Sequence, residues 1–496
     1  MKLENIIKHL EVIDIKGNIK FDVKGIECNS NIVNDDYIFV AIEGFRVDGH
    51  QYINDAISKG AKAIVVSRDL KVSEDITVIK VKNTRVALSN LSAAFYGQPS
   101  KNLELIGVTG TNGKTTTIYF VKSVLEASKR NTSLIGTVET IINGKSFRAS
   151  HTTPESLTLQ GMFKSMLQEK VDSCVMEVSS HSLQLSRVND CDFNIGIFTN
   201  LTHEHLDFHG NMKNYYNTKK QLFYKTNDFN IVNIDDYYGY RLAKEIKNRG
   251  ARLLTYGINS DADINAKNVI LFKDYSKCSI HTPTEKISIK TRLPGTYNIY
   301  NSLAAIACGY SLGIKLQCIK EGIEAVTNIP GRFQVIPTNK DLNIIIDYAH
   351  TPDGFENVLG TVSKYAKGRI IIIFGCVGER DYTKRSKMGK IAERYCDLCV
   401  LTTDNCRSED PKDILYDIKK GFTEGNKPYI EILDREEAIR YAIINSREDD
   451  TIIITGKGHE KRQIFGKRTI YFNEREIVEQ ALKELEFEDS KKLAHI

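Results

Sequence analysis

Residues 105–117 read LIGVTGTNGKTTT, an apolar run followed by glycine-rich backbone and by residues that favour the start of a helix. Gly110 and Gly113 allow the chain to turn so that successive N–H groups point inward, and a helix beginning near Thr115 adds the positive end of its dipole. Lys114 is placed to reach the outer phosphates of a nucleotide, and the Thr115 hydroxyl to hold a magnesium ion. The common pattern G-x-x-x-x-G-K-[ST] is followed except at its first glycine. This stretch predicts a phosphate-binding loop between a strand and a helix.

The bulk composition is that of an ordinary globular protein. The chain has 496 residues, of which 41% are hydrophobic and 26% charged, and this length suggests about three domains. The formal net charge of +5 is small and no block of basic residues occurs, so we expect no nucleic-acid partner. No apolar run approaches the ~18 residues of a membrane helix and no signal peptide is evident, which favours a cytoplasmic protein without membrane insertion.

Alternating apolar and helix-length segments predict an α/β protein of three domains. Residues 1–99 form a small N-terminal α/β domain, and residues 100–330 a central P-loop ATPase-like domain built on a parallel sheet. Residues 331–496 repeat a strand and helix pattern that predicts a Rossmann-like, doubly wound domain.

Polar clusters follow four predicted strands of the C-terminal domain, at 342–347, 369–374, 398–402 and 451–455. Ligands of doubly wound folds gather at the carboxyl ends of parallel strands, so we expect these clusters to form one site. They are D-Y-A-H-T-P-D, G-C-V-G-E-R-D-Y-T-K-R, T-D-N-C-R-S and G-K-G-H-E.

Magnesium is the metal that the sequence favours. A predicted strand ends in the carboxylate of Glu177, and a strand-end acid beside a phosphate loop is a suitable second ligand for this ion. Three histidines within 203–209 follow a strand and lack the H-E-x-x-H helix of a zinc site, and the single C-x-x-C at 396–399 is typical of buried thiols.

The segment G-T-N-G-K-T-T at 110–116 resembles the ATP loop of the Mur ligase family, which also contains folylpolyglutamate synthetase. Other stretches resemble further motifs of the family, so that the match covers nearly the whole chain. They are residues 29–50, 177–187, 199–210, 215–223, 295–307, 347–353 and 456–460. The resemblance implies an ATP-dependent amide ligase.

The resemblance, together with the chemistry of the phosphate loop, predicts a site that binds ATP and a metal ion. The predicted ATP-binding residues are Gly110, Thr111, Asn112, Gly113, Lys114, Thr115, Thr116, Asn298, Asn301 and Asp347. The predicted metal ligands are Thr115, Glu177, His205 and Lys219, and by resemblance Lys219 is carbamylated, although two adjacent lysines on a helix are otherwise typical of a solvated face. Lys114, Lys219, Arg332 and His350 are the predicted catalytic residues. For Arg332 the alternative is a salt bridge at a domain hinge.

By the same resemblance, the N-terminal domain binds the uridine nucleotide of a UDP-sugar-peptide. The residues implied are Ser30, Thr152, Thr153, Ser179 and Arg187. Asn29 and Asn31 stand where the family usually has an acid and an arginine. Read without the family, residues 1–99 are a small domain of no assigned purpose, and the two threonines are helix caps.

The incoming amino acid is inferred from T-D-N-C-R-S. Family members that use meso-diaminopimelate carry D-N-P-R, and an arginine can bind a distal carboxylate while it repels the ammonium of lysine. Cys406 replaces the proline of that motif. The predicted amino-acid site comprises Arg380, Asp404, Asn405, Cys406, Arg407, Gly456 and Glu460, and Glu460 suits the distal ammonium.

We therefore predict a ligase that joins meso-2,6-diaminopimelate to the D-glutamate side carboxylate of UDP-MurNAc-L-Ala-D-Glu through an acyl phosphate, acting as a monomer. ATP and Mg²⁺ are the expected cofactors. Four alternatives stay open: the same ligase with L-lysine, a folylpolyglutamate synthetase, the family's D-Ala-D-Ala-adding ligase, and a non-catalytic nucleotide switch.

Overall fold

The computed structural model describes residues 1–45, 47–149, 151–423, 425 and 427–494. Within these residues, three sheets follow one another along the chain, and each has its own hydrophobic core. The sheets span 12–81, 104–291 and 334–455, which agrees with an α/β protein of three successive units.

The N-terminal sheet has the strand order β1-β5-β4-β3-β2. Strands β2 to β5 are parallel, and β1 runs antiparallel to β5 at the edge. The strands are β1 (Val12–Lys16), β2 (Gly25–Glu27), β3 (Tyr37–Val40), β4 (Ala61–Val66) and β5 (Thr77–Val81). The helices are α1 (Leu3–Ile6), α2 (Ile53–Ser58) and α3 (Thr84–Tyr96), with 3₁₀ turns at Ile7–His9, Ser30–Ile32, Gly49–Tyr52 and Pro99–Asn102.

The central sheet has eleven strands in the order β16-β15-β14-β13-β12-β11-β6-β10-β7-β8-β9. Its strands are β6 (Glu104–Thr109), β7 (Thr132–Ile135), β8 (Glu139–Ile142), β9 (Lys145–Arg148), β10 (Ser173–Glu177), β11 (Phe193–Phe198), β12 (Thr226–Asn233), β13 (Leu253–Gly257), β14 (Ile264–Leu271), β15 (Ser276–His281) and β16 (Lys286–Thr291). Its helices are α4 (Lys114–Ala127), α5 (Ser156–Gln168), α6 (Ser180–Gln184), α7 (Leu206–His209), α8 (Met212–Lys219), α9 (Tyr237–Asn248), α10 (Thr296–Ser311) and α11 (Leu316–Ala325), with a 3₁₀ turn at Lys220–Tyr224.

The prediction of a central domain built on a parallel sheet is confirmed, and antiparallel hairpins extend that sheet at both edges. Strands β7, β10, β6, β11, β12, β13 and β14 are parallel, whereas β8, β9, β15 and β16 extend both edges as antiparallel hairpins. The middle strands are buried on both faces: Ile106 and Val108 of β6 pack into one core, and Leu105 packs into the other. Such two-sided burial explains why these strands appear as unbroken apolar runs.

The C-terminal sheet has the order β17-β18-β22-β19-β20-β21, with β17 antiparallel at its edge and the other strands parallel. The strands are β17 (Gln334–Ile336), β18 (Asn343–Asp347), β19 (Ile370–Phe374), β20 (Leu398–Leu401), β21 (Tyr429–Glu431) and β22 (Thr451–Thr455). A separate hairpin consists of β23 (Arg462–Phe465) and β24 (Arg468–Tyr471). The helices are α12 (Pro352–Val362), α13 (Thr383–Tyr395), α14 (Pro411–Lys419), α15 (Arg435–Ile444) and α16 (Glu474–Ala494). The four predicted strands are β18, β19, β20 and β22, and they are parallel as expected.

Candidate active site

The phosphate loop connects β6 to α4 through two glycines with positive φ, 153° at Gly110 and 84° at Gly113. A Cβ at Gly110 would lie 1.8 Å from Thr199 Oγ1, and a Cβ at Gly113 would lie 2.3 Å from Asn301 Oδ1. Only glycine therefore fits at these two positions. The Lys114 ammonium curls over the loop and donates to the carbonyls of Gly110 and Thr111, at 3.0 and 2.8 Å.

The residues that follow β11 hold the phosphate loop from one side. Asn200 Oδ1 accepts from the Asn112 backbone N–H at 2.9 Å, and Asn200 Nδ2 donates to the Asn112 carbonyl at 3.1 Å. Thr199 Oγ1 donates to the same carbonyl at 2.7 Å. The loop is thus preorganised by its neighbouring strand.

Glu177, Thr115 and Arg332 form a chain of hydrogen bonds beside the loop. The Thr115 hydroxyl donates to Glu177 Oε1 at 2.9 Å and accepts from Arg332 Nη2 at 3.0 Å. Glu177 also accepts from the backbone N–H and hydroxyl of Thr137, at 2.8 and 3.0 Å. Arg332 follows α11 and precedes β17. These hydrogen bonds therefore connect the start of the C-terminal domain to the phosphate loop.

Lys219 lies under the phosphate loop, with a relative exposure of 1%. Its ammonium nitrogen is 2.7 Å from the Gly110 carbonyl oxygen and 3.4 Å from Thr109 Oγ1. Burial lowers the pKa of Lys219 well below its ordinary value, and the charge of Lys114 lowers that pKa further. Burial also lowers the pKa of His205, whose imidazole is therefore neutral and able to act as a ligand.

A cavity of about 340 Å³ extends from the phosphate loop between the central and C-terminal domains. Its lining includes Asn298, Asn301, Asp347 and His350. Asn301 Nδ2 donates to Asn298 Oδ1 at 3.1 Å, and the crowding of its Oδ1 at Gly113 shows that Asn301 packs against the phosphate loop.

Asp347 and His350 are fixed by local backbone contacts. The Asp347 carboxylate accepts from the N–H groups of Phe333 and Ala349, both at 2.6 Å, and burial raises its pKa. Burial lowers the pKa of His350 to about 3, and its Nε2 lies 3.9 Å from Glu204 Oε1. His350 is neutral at physiological pH.

The predicted sugar-peptide residues form a group on the other side of Glu177, except Ser30. Thr153 Oγ1 donates to the Glu177 carbonyl at 2.8 Å and accepts from the Ser179 N–H at 3.1 Å. Arg187 donates to the Thr153 carbonyl at 3.0 Å. Thr152 Oγ1 accepts from the Thr137 hydroxyl at 3.1 Å. Ser30 contributes a hydrogen bond to Asp55 in the N-terminal domain, and none of the contacts found among the described residues joins it to this group.

Arg407 is held by the β23–β24 hairpin. Its backbone has a φ of 55°, its N–H donates to the Ile464 carbonyl at 3.2 Å, and its carbonyl accepts from the Gly466 N–H. Cys406 is 3% exposed, and its thiol lies 3.8 Å from the Ile464 carbonyl. The hairpin therefore braces the loop at the position where the cysteine replaces a proline.

Asp404, Asn405, Gly456 and Glu460 surround Lys457, whose side chain is fully buried. Lys457 Nζ lies 3.1 Å from Asn405 Oδ1, 3.4 Å from Glu460 Oε2 and 3.7 Å from Asp404 Oδ1. Asn405 Nδ2 also donates to Glu460 Oε2 at 2.9 Å. The positive charge of Lys457 therefore offsets the negative charges of the Asp404 and Glu460 carboxylates.

Ion pairs join the amino-acid side of the site to the central domain. Arg380 Nη1 lies 3.8 Å from Asp207 Oδ2, and Asp381 Oδ2 lies 3.0 Å from His203 Nε2. Lys384 Nζ lies 3.6 Å from Glu204 Oε1. The segment after β19 thus faces the segment after β11.

Several residues at the site were not singled out from the sequence. Tyr348 packs its ring 4.6 Å from the Arg332 guanidinium, and Asp353 Oδ2 accepts from Asn112 Nδ2 at 2.7 Å. The recognised motifs contain Tyr348, Asp353 and Lys457. Their position within those motifs was therefore the signal that could have identified them from the sequence. Thr137 lies outside every recognised motif.

The side chains beside the phosphate loop could bind magnesium only together with phosphate or other added ligands. No cluster of three or more His, Cys, Asp or Glu in the described ranges is arranged to hold a metal. Glu177 and the Thr115 hydroxyl are nevertheless oxygen ligands of the type that magnesium prefers, whereas the neutral imidazole of His205 is a softer nitrogen ligand. Among the described residues, no helix is long and apolar enough to cross a membrane.

A glycine-bounded phosphate loop that faces an interdomain cavity and is met by an arginine from the next domain defines a multidomain nucleotide-binding enzyme. Family models identify it further. The Mur ligase middle domain matches residues 108–309, the Mur ligase glutamate ligase domain matches 331–458, and the Mur ligase family catalytic domain matches 22–96. The chain belongs to the Mur ligase family and is an ATP-dependent amide ligase.

Curated relatives match over almost their full length. A UDP-N-acetylmuramoyl-L-alanyl-D-glutamate–2,6-diaminopimelate ligase of Alkaliphilus metalliredigens is 44% identical, with 99% of each chain covered. The protein of the same name from Clostridium perfringens is 46% identical, with 96% of this chain and 99% of that one covered.

Solved structures show the same architecture. A structure of a UDP-N-acetylmuramoyl-L-alanyl-D-glutamate–2,6-diaminopimelate ligase has a TM-score of 0.69 and 26% identity, with 98% of this chain and 99% of that chain covered. MurF ligase from Thermotoga maritima in complex with ADP has a TM-score of 0.63 at 19% identity, covering 94% and 99%. At that identity the second likeness concerns the fold alone.

Proposed function

We propose that this ligase adds meso-2,6-diaminopimelate to the D-glutamate side carboxylate of UDP-MurNAc-L-Ala-D-Glu, in cytoplasmic synthesis of the peptidoglycan precursor. The observation that carries the choice of amino acid is Arg407, which the β23–β24 hairpin fixes within D-N-C-R. The names of the curated relatives support the same substrates.

The reaction requires two nucleophilic displacements. A substrate carboxylate oxygen attacks the γ-phosphorus of ATP, ADP leaves, and an acyl phosphate forms. The amine of the incoming amino acid then attacks the acyl carbon, inorganic phosphate leaves and the amine loses a proton. Two anions meet in the first step, so cations must lie at the meeting point. Lys114 and Arg332 are the basic groups at the phosphate loop and supply this charge.

We propose that magnesium binds next to the loop through Thr115, Glu177 and His205, together with Lys219 as a carbamate. Bound magnesium neutralises phosphate charge and orients the phosphates. Only a neutral amine combines with carbon dioxide, and burial lowers the pKa of Lys219 and so favours its neutral form. Conversion to a carbamate changes that side chain to an anion, which the nearby Lys114 ammonium stabilises.

The substrates are assigned to three neighbouring groups. ATP occupies the phosphate loop from Gly110 to Thr116 and the adjoining cavity, where Asn298, Asn301, Asp347 and His350 line its walls. The dipeptide portion of the UDP-sugar-peptide contacts Thr152, Thr153, Ser179 and Arg187, and Ser30 belongs to the uridine-binding domain. The amino acid binds Arg380, Asp404, Asn405, Cys406, Arg407, Gly456 and Glu460. All three groups lie in one chain, so no second copy is needed to complete the site, which supports the proposal that the enzyme acts as a monomer.

The alternatives are less well supported. A solved folylpolyglutamate synthase from Mycobacterium tuberculosis covers 76% of this chain, whereas the diaminopimelate ligases cover 96% or more. Lysine offers no distal carboxylate to Arg407. A non-catalytic nucleotide switch has no need for the D-N-C-R loop.

One assay tests this function and separates the alternatives. ADP release is measured with UDP-MurNAc-L-Ala-D-Glu and, in parallel, meso-diaminopimelate, L-lysine or D-Ala-D-Ala, with and without Mg²⁺. Release should require Mg²⁺, the nucleotide-linked dipeptide and diaminopimelate together. Arg407→Ala should remove the preference for diaminopimelate over lysine, and Lys219→Gln should abolish turnover. Equal release with lysine and diaminopimelate by the native enzyme would contradict the assignment.

A further inference from the structure

We propose that Asp353 binds a ribose hydroxyl of ATP, so that the enzyme prefers ribonucleotides to deoxyribonucleotides. The inference rests on the proposed placement of ATP in the cavity beside the phosphate loop. It gives a specificity-determining role to a carboxylate that does not belong to the ATP-binding residues assigned above.

Asp353 lies on the cavity wall that the C-terminal domain contributes. It is the second residue of α12, and it lines the cavity together with Asn112 of the phosphate loop. Asp353 Oδ2 accepts from Asn112 Nδ2 at 2.7 Å, and Asn200 holds the backbone of Asn112 in turn. The carboxylate is therefore fixed beside the loop. In ATP the ribose follows the α-phosphate directly, so a group that borders the loop on the cavity side is placed to meet it.

The carboxylate of Asp353 has an oxygen left for a ligand. Four aspartates line this cavity. Three of them have both carboxylate oxygens occupied by backbone N–H or hydroxyl donors, and these are Asp235, Asp236 and Asp347. Asp353 differs, because within the part of the chain that the structure describes only its Oδ2 accepts a hydrogen bond. Its Oδ1 can accept one from a bound nucleotide.

The distribution of charge favours a ribose over a phosphate next to Asp353. Lys114 and Arg332 supply positive charge at the phosphate loop. Asp353 and Asp236 make their part of the cavity acidic: burial raises the pKa of Asp236, bonds from backbone N–H groups lower it, and the charge of Asp353 raises it. Two carboxylates repel a phosphate, whereas a hydroxyl can donate to either of them.

A carboxylate that accepts from a hydroxyl also discriminates against a ligand without that hydroxyl. Hydrogen bonds to an ionised acceptor are stronger than those between neutral groups. When the hydroxyl is missing, the anion in the half-buried wall loses this partner and the ligand binds more weakly. Asp353 can therefore select the sugar of the nucleotide.

The test compares ATP with 2′-deoxy-ATP and 3′-deoxy-ATP, each of which lacks one ribose hydroxyl. Dissociation constants are measured by calorimetry with Mg²⁺ and the full-length enzyme. The native enzyme should bind at least one deoxynucleotide about tenfold more weakly than ATP, which corresponds to the loss of one charge-assisted hydrogen bond. In Asp353→Ala the ratio of the two dissociation constants should fall to about one.

Two further variants separate a ribose contact from support of the loop. Asn112→Ala removes the same interdomain hydrogen bond but keeps the Asp353 carboxylate. It should change the affinities for all three nucleotides by one common factor and keep the preference for ATP. Glu356→Gln removes a carboxylate that lies on the same helix and accepts from the Tyr395 hydroxyl, so it should leave all three constants unchanged.

Equal affinity of the native enzyme for all three nucleotides would overturn the inference, and this comparison needs no variant. A preference that survives Asp353→Ala would also overturn it. Loss of the preference in Asn112→Ala would show that Asp353 acts only through the loop, with the same consequence. Calorimetry requires no amino acid, so a native enzyme that releases no ADP with diaminopimelate would remove the proposed function without deciding this inference.

Discussion

The chemistry at the residue scale depends on burial as much as on residue type. Lys114 begins the helix after the phosphate loop, whereas Lys219 ends α8 under that loop, is 1% exposed and has a pKa that burial lowers well below its ordinary value. Two full positive charges so close together would repel each other. A lowered pKa favours the neutral form of Lys219, which reduces that repulsion and suits the carbamylation proposed above.

A prediction at this scale concerns Gly113. Gly113→Ala would place a Cβ 2.3 Å from Asn301 Oδ1 at a φ of 84°. Asn301 is buried and bonded to Asn298, so it cannot move aside without losing that hydrogen bond. We expect the Kd for ADP, measured by calorimetry, to rise at least tenfold, which is about 1.4 kcal/mol.

Gly97 provides the control for this experiment. It has a φ of 78°, but a Cβ there meets nothing within 4 Å. Gly97→Ala therefore introduces similar backbone strain, about 1 to 3 kcal/mol, without a clash at the site. Its ADP affinity should match the native value. Equal loss of affinity in both variants would mean that strain, and not crowding of the phosphate loop, is responsible.

A residue at the site could be predicted from sequence when its partners are close to it in the sequence. Glu177 could be predicted because a strand end beside a phosphate loop is a local pattern. Thr137 could not, since its bonds to Glu177 span forty residues and depend on the neighbouring strands. Lys457 stood inside a quoted motif, but only the fold shows that its ammonium is buried between two carboxylates.

At the scale of elements, the strands buried on both faces were predictable and the antiparallel additions were not. β18, β19, β20 and β22 are continuous apolar runs, which parallel strands with covered faces produce. β9 is exposed throughout, and β16 alternates between exposed and buried positions, so neither gives an unbroken apolar signal. The β23–β24 hairpin is short and partly exposed, and its contact with Arg407 is not encoded in its own sequence.

A buried ion pair connects the first turns of α15 and α16. Arg435 and Glu474 have no exposed side-chain surface, and their nearest charged atoms are 2.6 Å apart. Burial raises the pKa of Glu474, an effect that Arg435 opposes. The pair anchors the C-terminal helix behind the predicted amino-acid site, because Arg435 Nη2 also donates to the Thr455 carbonyl next to Gly456.

Arg435→Met should destabilise the C-terminal domain by about 3 to 5 kcal/mol, since it leaves a buried carboxylate without its cation. Without Arg435 the folded-state pKa of Glu474 rises further above the unfolded value. The folded variant then binds a proton that the unfolded chain releases, so its stability falls as pH rises and recovers as pH falls. Urea denaturation followed by circular dichroism at several pH values measures both effects.

Two companion variants test the explanation. Arg435→Met combined with Glu474→Leu should restore most of the stability, because no buried charge remains. Arg475→Met breaks an exposed pair with side chains 55% and 46% exposed, and should cost at most about 0.5 kcal/mol. A double variant as unstable as the single one would refute the charge argument.

On the scale of the whole molecule, the central and C-terminal domains meet through ion pairs around Glu204. This carboxylate is 8% exposed and lies near both Lys384 and His350. His203 contacts Asp381, and Glu204 contacts Lys384 and His350, so both neighbours reach the C-terminal domain. The contact between the two domains is therefore stabilised by charges supplied by both of them.

Lys384→Met should favour separation of these two domains. Burial already raises the pKa of Glu204, and Asp381 and Asp207 raise it further, so the carboxylate would lose its nearest cation in an unfavourable environment. We expect a larger radius of gyration in solution scattering without ligands, and a kcat/KM for ATP lower by about tenfold. Lys387→Met, on the exposed side of the same helix, should change neither quantity. An unchanged radius in Lys384→Met would show that other contacts keep the domains together.

The pairing of Arg407 with the β23–β24 hairpin has an evolutionary consequence. Arg407, to which we assign the distal carboxylate of the incoming amino acid, is positioned by backbone groups almost sixty residues further along the chain. Insertions or substitutions in the β23–β24 hairpin can therefore change which amino acid the enzyme prefers, while every side chain that contacts the substrate stays the same. Attempts to redesign this ligase for other amino acids should begin with the β23–β24 hairpin.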